Sequence, residues 1–152
     1  MRPAGPGFFA AIGTCLRKYA MFQGRAPRSE FWWWALFQTF ISLGFLALNM
    51  PYYSQCAVQL LNLATLPPES FSEAMVDRLA DLTDVAAFLP TLAVTVRRLH
   101  DIGKSGWWVL FGLVPAAGQV MMLIWNCRHG TNGANRYGPD PLRDFYAAQN
   151  IH

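Results

Sequence analysis

Charged side chains are scarce in this chain. Asp, Glu, Lys and Arg make up 14% of its 152 residues, against roughly 25% in ordinary soluble domains. Hydrophobic residues make up 53%. Because a soluble protein needs polar side chains to cover its outside, this composition favours an integral membrane protein of one domain. A helical soluble protein with a large core is the less favoured alternative.

Cysteine is also scarce, and its spacing provides no metal site. Cys15, Cys56 and Cys127 lie far apart, without a CxxC or Cys/His ligand pattern. His129 is close to Cys127, but two ligands do not make a zinc site. We therefore expect three ordinary thiols, no metal and no cofactor.

Motifs of known catalytic sites are absent as well. The chain has no GxSxG, no HExxH and no paired-carboxylate motif. The run Gly103-Lys104-Ser105 is no phosphate-binding loop, because Arg98 stands where that motif needs a glycine. We therefore expect a protein that is not an enzyme.

His100 and Asp101 are the nearest approach to a catalytic pair. As sequence neighbours on a helix they do not face each other. Catalysis would need a third group from elsewhere, such as Asp140 or Glu30. The pair alone therefore predicts no reaction.

Long uncharged stretches are what the chain does have. Residues 31–50 and 106–127 carry no formal charge, and as helices each would reach about 30 Å, the thickness of the bilayer hydrocarbon. The segment 80–98 has a shorter uncharged core and must recruit flanking turns to span, with Arg97 and Arg98 snorkelling. The sequence therefore predicts an all-α polytopic helical membrane bundle, with three transmembrane helices favoured over four.

Prolines leave alternatives open inside this plan. Pro51 is expected to end the first span, and residues 52–66 would then form an interfacial helix, a re-entrant piece or a fourth span. Pro90 predicts a kink in its helix. Because Pro115 lies in the middle of residues 106–127, one broken or kinked helix is favoured there, with a re-entrant hairpin as the alternative.

The N-terminal region predicts a helix on the membrane surface. Phe8, Ile12, Leu16 and Tyr19 recur at helical spacing and form an apolar stripe, which is typical of an interfacial amphipathic helix. Residues 1–30 lack the apolar core of a cleavable signal peptide. The first span is therefore expected to act as its own insertion signal.

A capping box is predicted where the second long helix begins. Ser70 is followed three residues later by Glu73, the pattern in which each side chain caps the other's backbone. Asp77, Asp81 and Asp84 continue the acidic face of this helix. We expect a solvated surface there, with Asp84 at the external interface.

Lys and Arg are distributed unevenly along the chain. Five lie in residues 1–30, three in 97–104, three in the polar tail 128–152, and Arg78 stands apart. Because cytoplasmic segments carry the excess of these residues, we expect the N-terminus and the 97–106 loop to be cytoplasmic. Three full spans put the tail outside, whereas a re-entrant last segment puts it inside.

Three polar motifs accompany the apolar segments. They are Phe22-x-Gly24-Arg25-x-x-Arg28-x-Glu30-Phe31-Trp32, Arg97-Arg98-Leu99-His100-Asp101-Ile102-Gly103-Lys104-Ser105-Gly106-Trp107-Trp108 and Gly130-Thr131-x-Gly133-x-Asn135-Arg136-Tyr137-Gly138-Pro139-Asp140-Pro141. Together they resemble the bacterial membrane-protein family catalogued as domain of unknown function 805. The resemblance covers residues 18–141 and implies an inner-membrane protein, but it implies no activity.

These motifs contain more polar detail than membrane orientation requires. We expect their side chains to form a folded surface, called the polar cap below, that contacts anionic phospholipid headgroups. Whether the tail motif joins the other two depends on the side of the membrane on which the tail lies. Its predicted members are Arg25, Arg28, Glu30, Arg97, Arg98, His100, Asp101, Lys104, Asn135, Arg136 and Asp140. The alternative is that the cations only orient the protein and pair with its own carboxylates.

The expected partners are the lipid bilayer, anionic headgroups, and a second copy or another membrane protein, but not nucleic acid. A non-enzymatic module that binds lipid or a membrane partner is favoured. The alternative function is a subunit of a small oligomeric transporter or channel, with Asp84 and the kinks at Pro90 and Pro115 along its path.

Overall fold

The computed structural model describes residues 5–61 and 70–143, and in this part of the chain it is all-helical. The elements are α1 (Phe8–Arg17), α2 (Arg28–Leu61), α3 (Phe71–Asp101), a 3₁₀ helix (Gly106–Leu113) and α4 (Ala117–Cys127). Within these ranges the extended pairing is one isolated bridge, Asn135 to Gly138. The all-α prediction is confirmed.

Two of these helices are long and apolar enough to cross a membrane. They are Arg28–Val58 within α2, and α3. Few side chains of the apolar stretch of α2 are buried inside the protein, so its hydrophobic surface is left for lipid. This is the pattern of a membrane helix rather than of a soluble core helix.

α2 does not end at Pro51 as the sequence predicts. The helix runs for 34 residues with Pro51 inside it, and the Ser54 hydroxyl donates to the Pro51 carbonyl at 2.8 Å. In an apolar environment an unpaired backbone group costs more than a strained helix, which favours continuity through the proline. Residues 52–61 therefore extend α2, and residues 62–66 of the predicted extra segment lie outside the described residues.

α3 begins with the predicted capping box. The Glu73 amide donates to the Ser70 hydroxyl at 3.3 Å, and the Ser70 amide donates to the Glu73 carboxylate at 2.8 Å. Pro90 lies inside the helix and is buried. From position 93 to Leu99 every residue of α3 is buried, so its C-terminal part forms the centre of the packed region described below.

Residues 106–127 do not form the favoured kinked helix. The 3₁₀ helix and α4 fold back on each other, with the rings of Trp108 and Trp125 5.3 Å apart. In a continuous helix these residues would lie about 25 Å apart. The turn between the arms contains Pro115 and Ala116, whose φ is +58°. The structure therefore has the hairpin, with arms of 8 and 11 residues that are too short to span.

The chain divides into two compact units. The first contains α1, the start of α2, the end of α3, the hairpin and the tail, within residues 1–36 and 88–152. The second is residues 37–87, where Asn49 donates to the Asp77 carboxylate at 2.5 Å. Asn49 is buried and Asp77 half-buried. Asp77 is thus engaged in packing, whereas Asp81 and Asp84 are exposed.

Candidate functional site: the polar cap

The three polar motifs meet in the first unit, around five buried charged side chains. We call these the buried charge cluster: Arg25, Glu30, Arg97, Arg98 and Asp101. Each is at most 5% exposed. Charges survive such burial only when they are paired and hydrogen-bonded, so the contacts within the cluster determine what the site can do.

Asp101 is the centre of this cluster. Its Oδ1 accepts from Arg25 Nε at 3.0 Å and Nη2 at 2.8 Å, and its Oδ2 accepts from Arg98 Nη1 at 2.5 Å. Both carboxylate oxygens are therefore occupied by guanidinium groups. Its main-chain carbonyl also accepts from the Thr131 amide at 2.8 Å. One residue at the end of α3 thus holds both the N-terminal segment and the tail.

Arg25 extends this connection into the tail. Its Nη1 donates to the Gly133 carbonyl at 2.5 Å and its Nη2 to the Thr131 carbonyl at 2.6 Å. A longer bond of 3.4 Å reaches the Gly138 carbonyl. The planar guanidinium can serve several acceptors in fixed directions. Through Arg25 the tail lies against the other two motifs, a point that the sequence leaves open.

Arg98 holds the end of α4. It donates through Nε to the Asn126 carbonyl at 3.3 Å and through Nη2 to the Arg128 carbonyl. Arg28 adds a bond to the Cys127 carbonyl at 3.3 Å. The last carbonyls of a helix have no partner within it. These two cations supply the partners and bring the returning hairpin back to the cap.

Glu30 forms the second centre. It accepts from Arg97 Nη1 at 2.6 Å and from the Cys15 thiol at 3.8 Å. Burial raises the pKa of the Cys15 thiol to about 12, and the negative charge of Glu30 contributes to the rise. The thiol therefore stays protonated and connects α1 to the start of α2 as a donor. Within the described residues Arg97 Nε and Nη2 find no hydrogen-bond partner.

His100 packs instead of forming a catalytic pair. Its ring stacks on Tyr137 with centroids 3.9 Å apart and planes 5° from parallel. Its Nδ1 lies 3.1 Å from the Gly24 carbonyl. Because both oxygens of Asp101 bind arginines, the imidazole has no carboxylate orienting it there. The sequence neighbours thus face different partners, as helix geometry requires.

Asn135 and Asp140 fold the tail. Asn135 donates to the His100 carbonyl at 2.9 Å and accepts from the Tyr137 amide at 2.9 Å. Asp140 accepts from the Gly133 amide at 3.3 Å and from the Leu142 amide at 3.1 Å. Both side chains therefore stabilise turns at the surface of the cap.

The remaining predicted cations lie at the rim of the cap. Lys104 Nζ is 4.4 Å from the ring centre of Trp125 and 4.8 Å from that of Trp108, a cation–π arrangement. Arg136 lies over the Tyr137 ring and donates to the Gly103 carbonyl at 3.2 Å. These contacts orient the cations without neutralising their charge.

Several residues of the site were not predicted from the sequence. Gly130 is one of them: a side chain there would collide with the Asp101 carboxylate, since a Cβ would stand 1.9 Å from Oδ2. Thr131 and Gly133 contribute carbonyls, and Cys15 contributes a thiol. The glycine-rich spacing of the tail was the available signal for the first three. Any residue can supply a backbone carbonyl, so the residue type does not indicate which carbonyls accept hydrogen bonds. In the sequence, Cys15 is indistinguishable from an ordinary apolar residue of α1.

No group of three metal-ligating side chains occurs among the residues that the structure describes. The arrangement has neither a free nucleophile nor a free carboxylate at its centre. Chemically, it is a set of buried ion pairs surrounded by cations.

Comparison with known proteins agrees with the motifs. The profile of a protein family of unknown function, DUF805, matches residues 19–139. The inner membrane protein YhaI of Escherichia coli K12 is 36% identical over 128 residues, 84% of this chain and 92% of that protein. YhaH, also named an inner membrane protein, is 36% identical over 129 residues, 83% of this chain and 91% of its own length. The uncharacterized protein YiiR is 32% identical, over 85% of this chain and 91% of that protein. No solved structure matches the chain.

Proposed function

The chain belongs to the DUF805 family, and we propose that it is a non-enzymatic, multi-pass protein of the bacterial inner membrane whose cytoplasmic polar cap binds anionic phospholipid headgroups. Two helices of spanning length support the membrane part of this proposal. The printed names of YhaI and YhaH place those relatives in the inner membrane.

The position of the tail supports the orientation. Because Arg25, Asp101 and Thr131 are in direct contact, their three segments lie on one side of a bilayer. Together these segments hold all but one of the 12 Lys and Arg residues, and the exception, Arg78, precedes the uncharged stretch 85–96 of α3. A bias this strong favours the cytoplasmic side for the cap.

The observation that carries the proposal is the division of the cap's cations into two groups. The three arginines of the buried charge cluster pair with Glu30 and Asp101. The outer cations are exposed or half-buried and form no ion pair with any described residue. The outer cations are Arg17, Lys18, Arg28, Lys104, Arg128, Arg136 and Arg143. Their charge is available to an external anion, and a cytoplasmic leaflet supplies phosphate groups at the right depth.

This division changes the roles expected from the sequence. Arg25, Arg97 and Arg98 are framework residues, because their side chains are buried among protein groups. Headgroup contact falls to the outer cations. Each is worth roughly 1 kcal/mol near an anionic surface.

Lipid binding can be tested in nanodiscs. The purified protein is equilibrated with mixed phosphatidylglycerol and phosphatidylcholine, and bound lipid is counted by native mass spectrometry. We expect the wild-type protein to retain phosphatidylglycerol, and Arg128→Gln/Arg136→Gln/Arg143→Gln to bind it about a hundredfold more weakly, because three losses of roughly 1 kcal/mol each add up. Arg78→Gln removes an exposed cation outside the cap and is the matched control. Equal retention of both lipids by the wild-type protein would refute the proposal.

A further inference from the structure

A cavity of about 450 Å³ lies within the first unit, beside α1 and the tail. Arg17 and Lys18 from the end of α1, and Arg25 and Glu30 from the second segment, contribute charged side chains to its lining. Its volume is within the usual range for small-ligand pockets, about 300–1,000 Å³. The assembly of the cap, described above, does not use this space.

The charges around the cavity favour an anion. Three of the four charged lining residues are cations. The one carboxylate, Glu30, is already bound by Arg97 and by the Cys15 thiol. Asp101, the counterion of Arg25, is shared with Arg98, so the positive charge of Arg25 is only partly offset.

Two of these cations are available to a ligand. Arg17 is exposed and Lys18 half-buried, and neither forms an ion pair with a described residue. Arg17 Nε donates to the Gly13 carbonyl at 3.3 Å, which orients the guanidinium and leaves its two Nη groups as donors. Guanidinium and ammonium groups are the side chains that bind phosphate oxygens best.

The walls of the cavity are stiff. Pro27, Pro139 and Pro141 line it, with Gly24 and Gly138 contributing backbone. Proline has one locked backbone angle, and the tail that carries two of these prolines is held by Arg25. A preformed cavity loses little entropy when a ligand enters.

The helix whose C-terminal end lines the cavity also exposes apolar side chains. α1 exposes Phe9, 85% accessible, and Leu16, 51% accessible. Large apolar side chains on an amphipathic helix insert at the boundary between headgroups and acyl chains. α1 therefore combines cations at the cavity with an exposed apolar face of the kind that contacts acyl chains.

We propose that this cavity, which Arg25 also lines, is a binding site for the phosphate of a glycerophosphate headgroup contacted by Arg17 and Lys18. This proposal rests on the proposed lipid-binding function. It adds that one headgroup binds in this cavity. Two sources share this phosphate chemistry: an anionic phospholipid in the membrane and a soluble phosphate ester. The lipid is the favoured source because α1 exposes large apolar side chains, as an interfacial helix does.

The test compares two double variants that remove the same charge. Arg17→Gln/Lys18→Gln empties the cavity of its available cations, and Arg128→Gln/Arg143→Gln removes two outer cations that do not line it. All four positions are exposed or half-buried, so both variants should fold, which circular dichroism and thermal unfolding check. Phosphatidylglycerol binding is measured in phosphatidylcholine nanodiscs by titration.

Each outer cation contributes roughly fivefold wherever it lies near the surface, so both variants should lose affinity. We expect the cavity variant to bind phosphatidylglycerol about tenfold more weakly than the control variant, because Arg17 and Lys18 also donate direct charge-assisted hydrogen bonds to the phosphate. Equal losses in the two variants, with a wild-type preference for phosphatidylglycerol intact, would overturn the cavity but leave the proposed function standing. Absence of that preference in the wild-type protein would overturn both.

A second experiment distinguishes an anionic phospholipid from a soluble phosphate ester as the ligand. Glycerol 3-phosphate and inorganic phosphate are titrated into the detergent-solubilised protein by calorimetry. Weak or absent binding, together with strong nanodisc binding, supports the lipid. Tight binding of glycerol 3-phosphate that depends on Arg17 and Lys18 would support the phosphate site and overturn the lipid as its source.

Discussion

At the residue scale, single side chains connect segments that are far apart in the sequence. Arg25 contacts Asp101 and the carbonyls of Thr131 and Gly133. Asp101 in turn neutralises part of the charge of both Arg25 and Arg98. A change at either end of this network therefore leaves a buried charge without its counterion, which costs more than the pair itself contributes.

Asp101→Asn should destabilise the protein strongly. The amide keeps the shape of the side chain but removes the negative charge that faces two buried guanidinium groups. We expect a loss of about 3–5 kcal/mol in the free energy of unfolding, measured by thermal unfolding in detergent. Asp81→Asn, at an exposed position, is the control and should change little. Equal stability of the two variants would contradict the role of Asp101.

Cys15 should resist alkylation where Cys127 reacts. The thiolate is the reactive species, and the pKa of Cys15 is raised to about 12 by burial and by Glu30. The thiol is therefore protonated throughout the usual working range, and deprotonation begins only as the pH approaches that value. N-ethylmaleimide at pH 8 followed by mass spectrometry should modify Cys127, which is exposed, and spare Cys15. Rapid labelling of Cys15 in the folded protein would show that its environment is open.

At the scale of elements, the hairpin after α3 departs most from the sequence pattern. Hydropathy alone makes residues 106–127 a span, yet the chain turns at Pro115 and Ala116. Gly118 permits the close return, because a Cβ there would stand 1.9 Å from the Phe111 carbonyl oxygen. The aromatic cluster of Trp108, Phe111 and Trp125 then holds the two arms together.

A double-mutant cycle on Trp108 and Trp125 tests the hairpin. Trp125 is 7% exposed, so Trp125→Ala should cost about 3–5 kcal/mol. The pair should show a coupling of about 0.5–1.5 kcal/mol, the value for aromatic rings in contact. Trp107→Ala, at a position 79% exposed, provides the control and should be near neutral. Strict additivity of the Trp108 and Trp125 substitutions would favour the kinked helix instead.

At the scale of the whole molecule, the polar cap brings three segments of the chain into contact, and the proposed function places them on one face of the membrane. The hairpin returns the chain to the C-terminal end of α3, where Arg98 donates to carbonyls at the end of α4. The count of charges left the tail either outside or inside the membrane. The contacts of the tail with the other two motifs favour the position on the same side as the 97–106 loop. The proposed cytoplasmic side then follows from the distribution of cations.

Cysteine accessibility should report one side for both the loop and the tail. Ser105→Cys and Thr131→Cys are introduced separately, with Cys56 and Cys127 replaced by serine. Both new thiols should be shielded from an impermeant maleimide in intact cells and labelled in inverted vesicles. Residue 131 is exposed and residue 105 half-buried, so accessibility itself should not prevent labelling. Labelling of only one of them from outside would place the tail and the loop on opposite sides.

Local patterns were enough for several elements. The capping box at Ser70 and Glu73 and the long apolar helix from residue 31 follow from spacing and hydropathy within one or two turns. The prediction at Pro51 was wrong because it used proline's local preference, whereas continuity depends on what surrounds the helix. The kinked helix predicted at 106–127 was wrong for a related reason. Hydropathy measures the length of an apolar stretch, and it does not show whether the backbone continues straight or folds back as a hairpin.

Composition and local motifs establish the class of this protein: it is helical, apolar enough for a membrane, and marked by three motifs of one family. Those properties depend on composition and on residues that are close along the chain. Which cations are buried and which remain available to an anion depends on the fold. Arg25 donates to the Thr131 carbonyl and Arg97 donates to Glu30, and each of these contacts joins residues that are far apart in the sequence. A count of charges identifies the cations of the cap but not their counterions. Because Glu30 and Asp101 pair with the three buried arginines, Arg17 and Lys18 have no counterion among the described residues and lie beside the cavity with their charge available.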